Sequence, residues 1–146
     1  GTYIMISAFF ELVTDKVASA ILAMVVASLL PWVVSIVAKV SGGFRIRNNA
    51  HPREFFQNAT GMAARANAAQ QNSYETLPVF LAAVIVAMLF FVPQSIINIL
   101  AWLYVMIRIG FCVAYITNLA MFRSILWVLS IACCLMLFYL AIRVSV

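Results

Sequence analysis

TLPVFLAAVIVAMLFFV, residues 76–92, carries no charge, and it follows without a break on GMAARANAAQQNSYE, residues 61–75, which is alanine-rich and polar. Such a segment reads as one helix that starts in the interfacial layer and sinks into a bilayer, because spanning the hydrocarbon takes about 20 apolar residues. Similar apolar runs flank it. The pattern predicts spans over residues 17–38, 58–92, 96–120 and 124–142, making an all-α integral membrane protein, a four-helix transmembrane bundle, in one domain covering residues 1–146. Pro31 interrupts the first span, which a membrane helix accepts as a kink when neighbours satisfy the freed carbonyl.

Composition agrees. Hydrophobic residues make up 66% of the 146 and charged ones 9%, and the mean hydropathy is +1.10, so lipid must be the solvent. The net charge of +5 is sparse and sits at the ends of apolar runs, which argues against a nucleic-acid partner. Cys112, Cys133 and Cys134 lie inside apolar runs without metal-ligand spacing and read as buried, reduced, small hydrophobes. His51, beside Pro52, has no second histidine with which to share a metal and reads as a loop residue. No cleavable leader is expected, since the first strongly apolar stretch continues to spanning length without a small-residue cleavage pattern. The chain opens with Gly1, and its first few residues support no reading.

Between the first two spans stands KVSGGFRIRNNAHPREFFQN, residues 39–58. Gly42 and Gly43 predict a turn, and Pro52 suits the first turn of a new helix. This connection carries Lys39, Arg45, Arg47 and Arg53, the third connection carries Arg123, and the one between the second and third spans is uncharged. By the positive-inside rule the first and third loops face the cytoplasm and both termini face outside. Lys16 and Arg143 oppose that orientation.

Ionisable groups within spans mark partners or pathways. Glu75 and Arg108 are such groups, and counting about 17 and about 15 residues from the uncharged loop, at about 1.5 Å each, places both about 25 Å from the outer face. Arg65, Ala68, Asn72 and Glu75 share one helical face by spacing, as do Arg108, Cys112, Tyr115 and Asn118. One reading is an ion pair gluing two helices, with Asn72 and Asn118 as interhelical hydrogen-bond partners. The other is a ligand site: Lys39, Arg65, Arg108 and Arg123 outnumber Glu75 at one end of the bundle, a surplus that suits an anionic ligand. Taken singly, Tyr115, Trp32, Trp102 and Trp127 fit an interfacial aromatic belt, Arg123 a snorkelling anchor, and Ser124 a helix N-cap. A four-span drug exporter is disfavoured because the first span has no carboxylate.

RANAAQQNSYETLPVF, residues 65–80, with Arg65, Asn72-x-x-Glu75 and Pro78, resembles the second-helix signature of the membrane-associated proteins in eicosanoid and glutathione metabolism, the MAPEG family. Arg108 followed by Tyr115 is similar to the family's pair on its third helix, and Arg123-Ser124 to the pair opening its fourth. The resemblance implies a homotrimer that holds glutathione as cosubstrate between subunits at the cytoplasmic end. It assigns Glu75 to the ligand's amino group, Asn72 to a backbone or carboxylate group, and Arg108 with Tyr115 to the remaining polar groups. Arg123 and Ser124 become the catalytic pair at the sulfur, and Lys39 the counterpart of a first-helix cation; Arg65 belongs to the same binding set. The implied activity is that of a glutathione transferase or peroxidase acting on a lipophilic electrophile or lipid hydroperoxide, in a bacterial inner membrane. The sequence departs from the family pattern at Ala68, Gln70 and Gln71, and at Trp127, where several members place a tyrosine. Those departures keep open a non-catalytic member that binds lipid or serves as an accessory subunit of a larger membrane complex.

Overall fold

Alanine lines the inside of this bundle, and the large aliphatic side chains face out. In the computed structural model, which describes the backbone of residues 1–146 and the side chains of residues 1–9 and 14–146, α1 spans Thr2–Asp15, α2 Val17–Ser41, α3 Pro52–Gln57, α4 Gly61–Leu89, α5 Gln94–Ile116 and α6 Ala120–Ser145, with a 3-10 turn at Ile46–Ala50. The helices α2, α4, α5 and α6 are long and apolar enough to cross a membrane. On α2 the residues Ala20, Ala23, Ala27, Pro31, Val34 and Ala38 are buried at helical spacing, whereas Ile21, Leu29, Trp32 and Ile36 are exposed. A water-soluble bundle does the reverse. Between helices in lipid there is no hydrophobic gain, so stability comes from close van der Waals packing, which small residues permit.

The matching stripe on α4 is Ala63, Ala66, Ala69, Ser73, Thr76, Phe80, Ala83 and Ala87. It lies one residue round the helix from the face expected to carry Asn72 and Glu75. The small side chains at Ala66, Ala69 and Ser73 set the closest approach, leaving Asn72 half-buried and Glu75 exposed. On α5 the expected stripe holds for Arg108 and Cys112, both buried, and for half-buried Tyr115. Higher in the bundle Phe80 stacks on Tyr104 with ring centroids 4.0 Å apart. All three cysteines are free and buried.

Several helices stop by the same device, a left-handed residue followed by a six-to-one hydrogen bond. Gly43 (φ 72), Phe91 (φ 59) and Asn118 (φ 64) supply the left-handed residues, and Phe44, Val92 and Leu119 donate back to Lys39, Ala87 and Ala114. Asn118 therefore serves the turn and, among the described residues, makes no interhelical side-chain bond, contrary to the reading from spacing. Arg123 and Ser124 sit inside the first turns of α6, not in a loop ahead of it.

The elbow between α1 and α2 is pinned to α5. Asn98 Nδ2 donates to the Lys16 carbonyl at 3.0 Å, Gln94 Nε2 donates to Asn98 Oδ1 at 2.8 Å, and Trp102 Nε1 donates to Ser19 Oγ at 2.8 Å. At the opposite end of α2, Gly42 permits a close approach. A Cβ there would lie 2.8 Å from Phe55 Cζ, 3.0 Å from Ala63 Cβ and 3.1 Å from the Ala38 carbonyl. The ring tip can swing, but the other two cannot. Gly42→Ala is expected to destabilise the protein by about 1–2 kcal/mol through overpacking, read as a lower thermal midpoint in detergent; an unchanged midpoint would show that the loop yields freely.

Candidate functional site

Where α4, α5 and α6 meet near the turn at residues 117–119, Asn72, Phe111, Tyr115, Arg123, Ser124 and Trp127 surround a cavity of about 370 Å3, a size suited to a small molecule. Four of the sequence-derived candidates are thus together in one wall. Arg123 is half-buried and lies over the Tyr115 ring, its guanidinium carbon 4.4 Å from the ring centroid. Stacking on an aromatic face orients a guanidinium without consuming its N–H donors. The Ser124 hydroxyl donates to the Ala120 carbonyl one turn earlier at 3.1 Å. It must release that bond before it can donate to a ligand.

Behind the wall stands Arg108, 1% exposed. Its Nη2 donates to Asn72 Oδ1 at 2.8 Å and to Ser73 Oγ at 3.2 Å, and its guanidinium carbon lies 4.1 Å from the centroid of the Phe111 ring. Ser73 donates onward to the Ala69 carbonyl at 2.8 Å and sits 3.5 Å from Cys112 Sγ. Arg108 Nε and Nη1 are buried without a hydrogen-bond partner among the described residues. Guanidinium groups only donate, so the Asn72 amide must turn its oxygen toward Arg108, which leaves its NH2 for the cavity. Among the described residues the wall therefore offers donors from Asn72, Tyr115, Arg123 and Trp127, one formal positive charge and no carboxylate.

The expected Glu75–Arg108 ion pair does not form. Arg108 lies opposite Asn72 and Ser73, about one helical turn from Glu75, and Glu75 is exposed on the outer side of α4. Arg65 is also outside the cavity wall: its Nε donates to the Ile116 carbonyl at 2.9 Å, capping the end of α5, whose last carbonyls lack helical partners. Lys39 belongs to the last turn of α2 and not to the connection after it, and its ammonium lies 4.8 Å from the centroid of the Phe44 ring. Ser73 and Phe111 were not singled out from sequence. Ser73 could have been found by extending the spacing of Ala66 and Ala69, and Phe111 by its place one turn after Arg108.

Beside the polar cavity, and sharing Ser124 and Val128 with it, a second hollow of about 300 Å3 is lined with Ile125 and Leu129. A donor-rich compartment thus adjoins an apolar one on the outer face of α6. Residues 19–143 match the family model described as the MAPEG family. No curated protein matches the chain.

Proposed function

Since the chain belongs to the MAPEG family, which includes glutathione transferases and peroxidases, we propose that it is a membrane-bound glutathione transferase or peroxidase acting on lipophilic electrophiles or lipid hydroperoxides. The observation that carries this reading is the cavity wall of donors with the Arg123 cation and, among the described residues, no opposing carboxylate. Glutathione brings two carboxylates and a thiol, and a free thiol of pKa about 8.5 becomes a nucleophile near neutral pH only when its anion is stabilised. Arg123 provides the charge, with Ser124 as a second donor once its hydroxyl turns from Ala120. Asn72 and Tyr115 donate to carboxylate or peptide oxygens, and Arg108 acts through Asn72 by fixing the amide. The adjoining apolar hollow takes the lipophilic co-substrate.

Glu75 supports an assembly of copies. An exposed carboxylate on a spanning helix is costly in hydrocarbon, about 2.5–3.5 kcal/mol at the centre of a span, and among the described residues it has no ion-pair partner. Members of the family are usually trimeric. In a homotrimer Glu75 faces the neighbouring copy, where it holds the amino group of a ligand shared between subunits, with Lys39 and Arg65 completing the set. We read the membrane as a bacterial inner membrane, and the positive-inside pattern supports an orientation with this end of the bundle in the cytoplasm and the N-terminus outside.

Titration of glutathione into the purified, detergent-solubilised protein is expected to release heat with a micromolar to millimolar dissociation constant. No heat over that range sinks the reading. A second reading, a non-catalytic lipid-binding member or an accessory subunit of a larger membrane complex, draws on the Ser124 hydroxyl being engaged by its own helix and on Trp127, whose indole donates but cannot act as an acid. Partners that co-purify in fixed ratio, without glutathione binding, favour it.

A further inference from the structure

The connection over residues 42–60 is far longer than helix-to-helix connections usually are, and long ordered loops are commonly functional. Here it folds into the 3-10 turn and α3, held by Phe55 edge-on to Phe44 with centroids 4.9 Å apart. Beneath this cap is a bowl of about 470 Å3 that shares no residue with the cavity already described. Its wall includes Arg47, His51, Glu54 and Asn58. Among the described residues neither Arg47 nor Glu54 forms an ion pair, so both signs of charge face one hollow uncommitted.

A second feature stands at the rim. Thr60, which lines the bowl, is the N-cap of the 29-residue α4, yet its side chain makes no capping bond. The first amides of that helix therefore receive no acceptor from the cap side chain, and the helix dipole adds partial positive charge there. The bowl also lies at the ends of two helices long enough to span a membrane, because Ser41 and Gly42 at the end of α2 line it together with Thr60 before α4. Ile46, 94% exposed, projects between Arg45 and Arg47 in a basic loop, a pairing of apolar and cationic groups suited to a lipid interface.

We propose that this bowl binds a phosphate–ammonium headgroup, the chemistry of phosphatidylethanolamine. Arg47 and the leading amides of α4 take the phosphate, and Glu54 accepts hydrogen bonds from the primary ammonium. A simple anion would meet the Glu54 carboxylate unfavourably. A choline headgroup has no N–H to give it.

The test is thermal unfolding of the full chain in detergent micelles containing phosphatidylethanolamine, phosphatidylglycerol or phosphatidylcholine. Phosphatidylethanolamine is expected to raise the midpoint by about 5 °C, and Arg47→Gln and Glu54→Gln each to remove that rise. In lipid-free detergent both variants should melt with the parent, since their exposed side chains have no hydrogen-bond or ion-pair partners among the described residues to lose. A rise that persists in both variants overturns the proposal, as does a full rise with phosphatidylglycerol that survives Glu54→Gln. Soluble O-phosphoethanolamine separates the sources: a rise with it alone assigns the site to a free metabolite, and a rise only with the lipid assigns it to the bilayer, either result upholding the headgroup chemistry. Glutathione titration of the same variants should be unchanged, so the outcome is independent of the reading of the other cavity.

Discussion

Arg123→Ala is expected to lower glutathione-dependent turnover at least about 100-fold, the usual scale for losing one preorganised charge stabiliser, and to abolish the ultraviolet absorbance of bound thiolate. The effect is large because, among the described residues, Arg123 is the sole formal charge in the cavity wall, and Tyr115 already holds its guanidinium in place. Lysine at this position keeps the charge but loses the planar stack and the forked donors, so partial recovery is expected. Ser124→Ala should cost much less, since that hydroxyl begins bonded to Ala120. Thiolate absorbance that is unchanged in Arg123→Ala would remove this residue from the mechanism.

Arg108 separates stability from binding. Its guanidinium makes two hydrogen bonds through Nη2 but leaves Nε and Nη1 buried and unpaired, and replacing a poorly compensated buried ion by an apolar residue of similar volume is often neutral or stabilising. Arg108→Met is therefore expected to melt at or above the parent temperature. Arg108→Ala should lose about 3 kcal/mol, because the vacated volume stays partly empty. In both variants the Asn72 amide is free to turn, and glutathione affinity should fall about 10-fold or more, the scale of one charge-assisted hydrogen bond. An Arg108→Met protein as unstable as Arg108→Ala would show that the cation itself is a necessary strut, and unchanged affinity would show that Asn72 needs no orienting.

The spans were legible because residues 76–92 carry no charge and their counterparts are predominantly apolar at bilayer length. The face of α4 was not. Between residues 61 and 75 alanine and polar groups occur on every side of the helix, so the periodicity is too weak to choose between the Asn72–Glu75 stripe and the Ala66–Ala69–Ser73 stripe one residue away. Packing chose the smaller side chains. Equal depth by residue count also proved too coarse to name Arg108's partner, since an offset of three residues, about 4.5 Å, separates Glu75 from Asn72. On α5 the spacing of Arg108, Cys112 and Tyr115 served well until the helix ended at Ile116, beyond which periodicity says nothing of Asn118. The convergence of Asn72, Tyr115, Arg123 and Ser124 was suggested by family resemblance, because it joins three helices and no single helix shows it.

The unpaired donors of Arg108 bear on how the chain enters its membrane. A guanidinium in mid-span penalises insertion of α5 as a lone segment by about 2.5–3.5 kcal/mol, whereas Asn72 and Ser73 relieve part of that once α4 lies alongside. The uncharged link at residues 90–93 crosses to the far side readily, so α4 and α5 are suited to leave the insertion machinery as one hairpin, with the later helix escorted by the earlier.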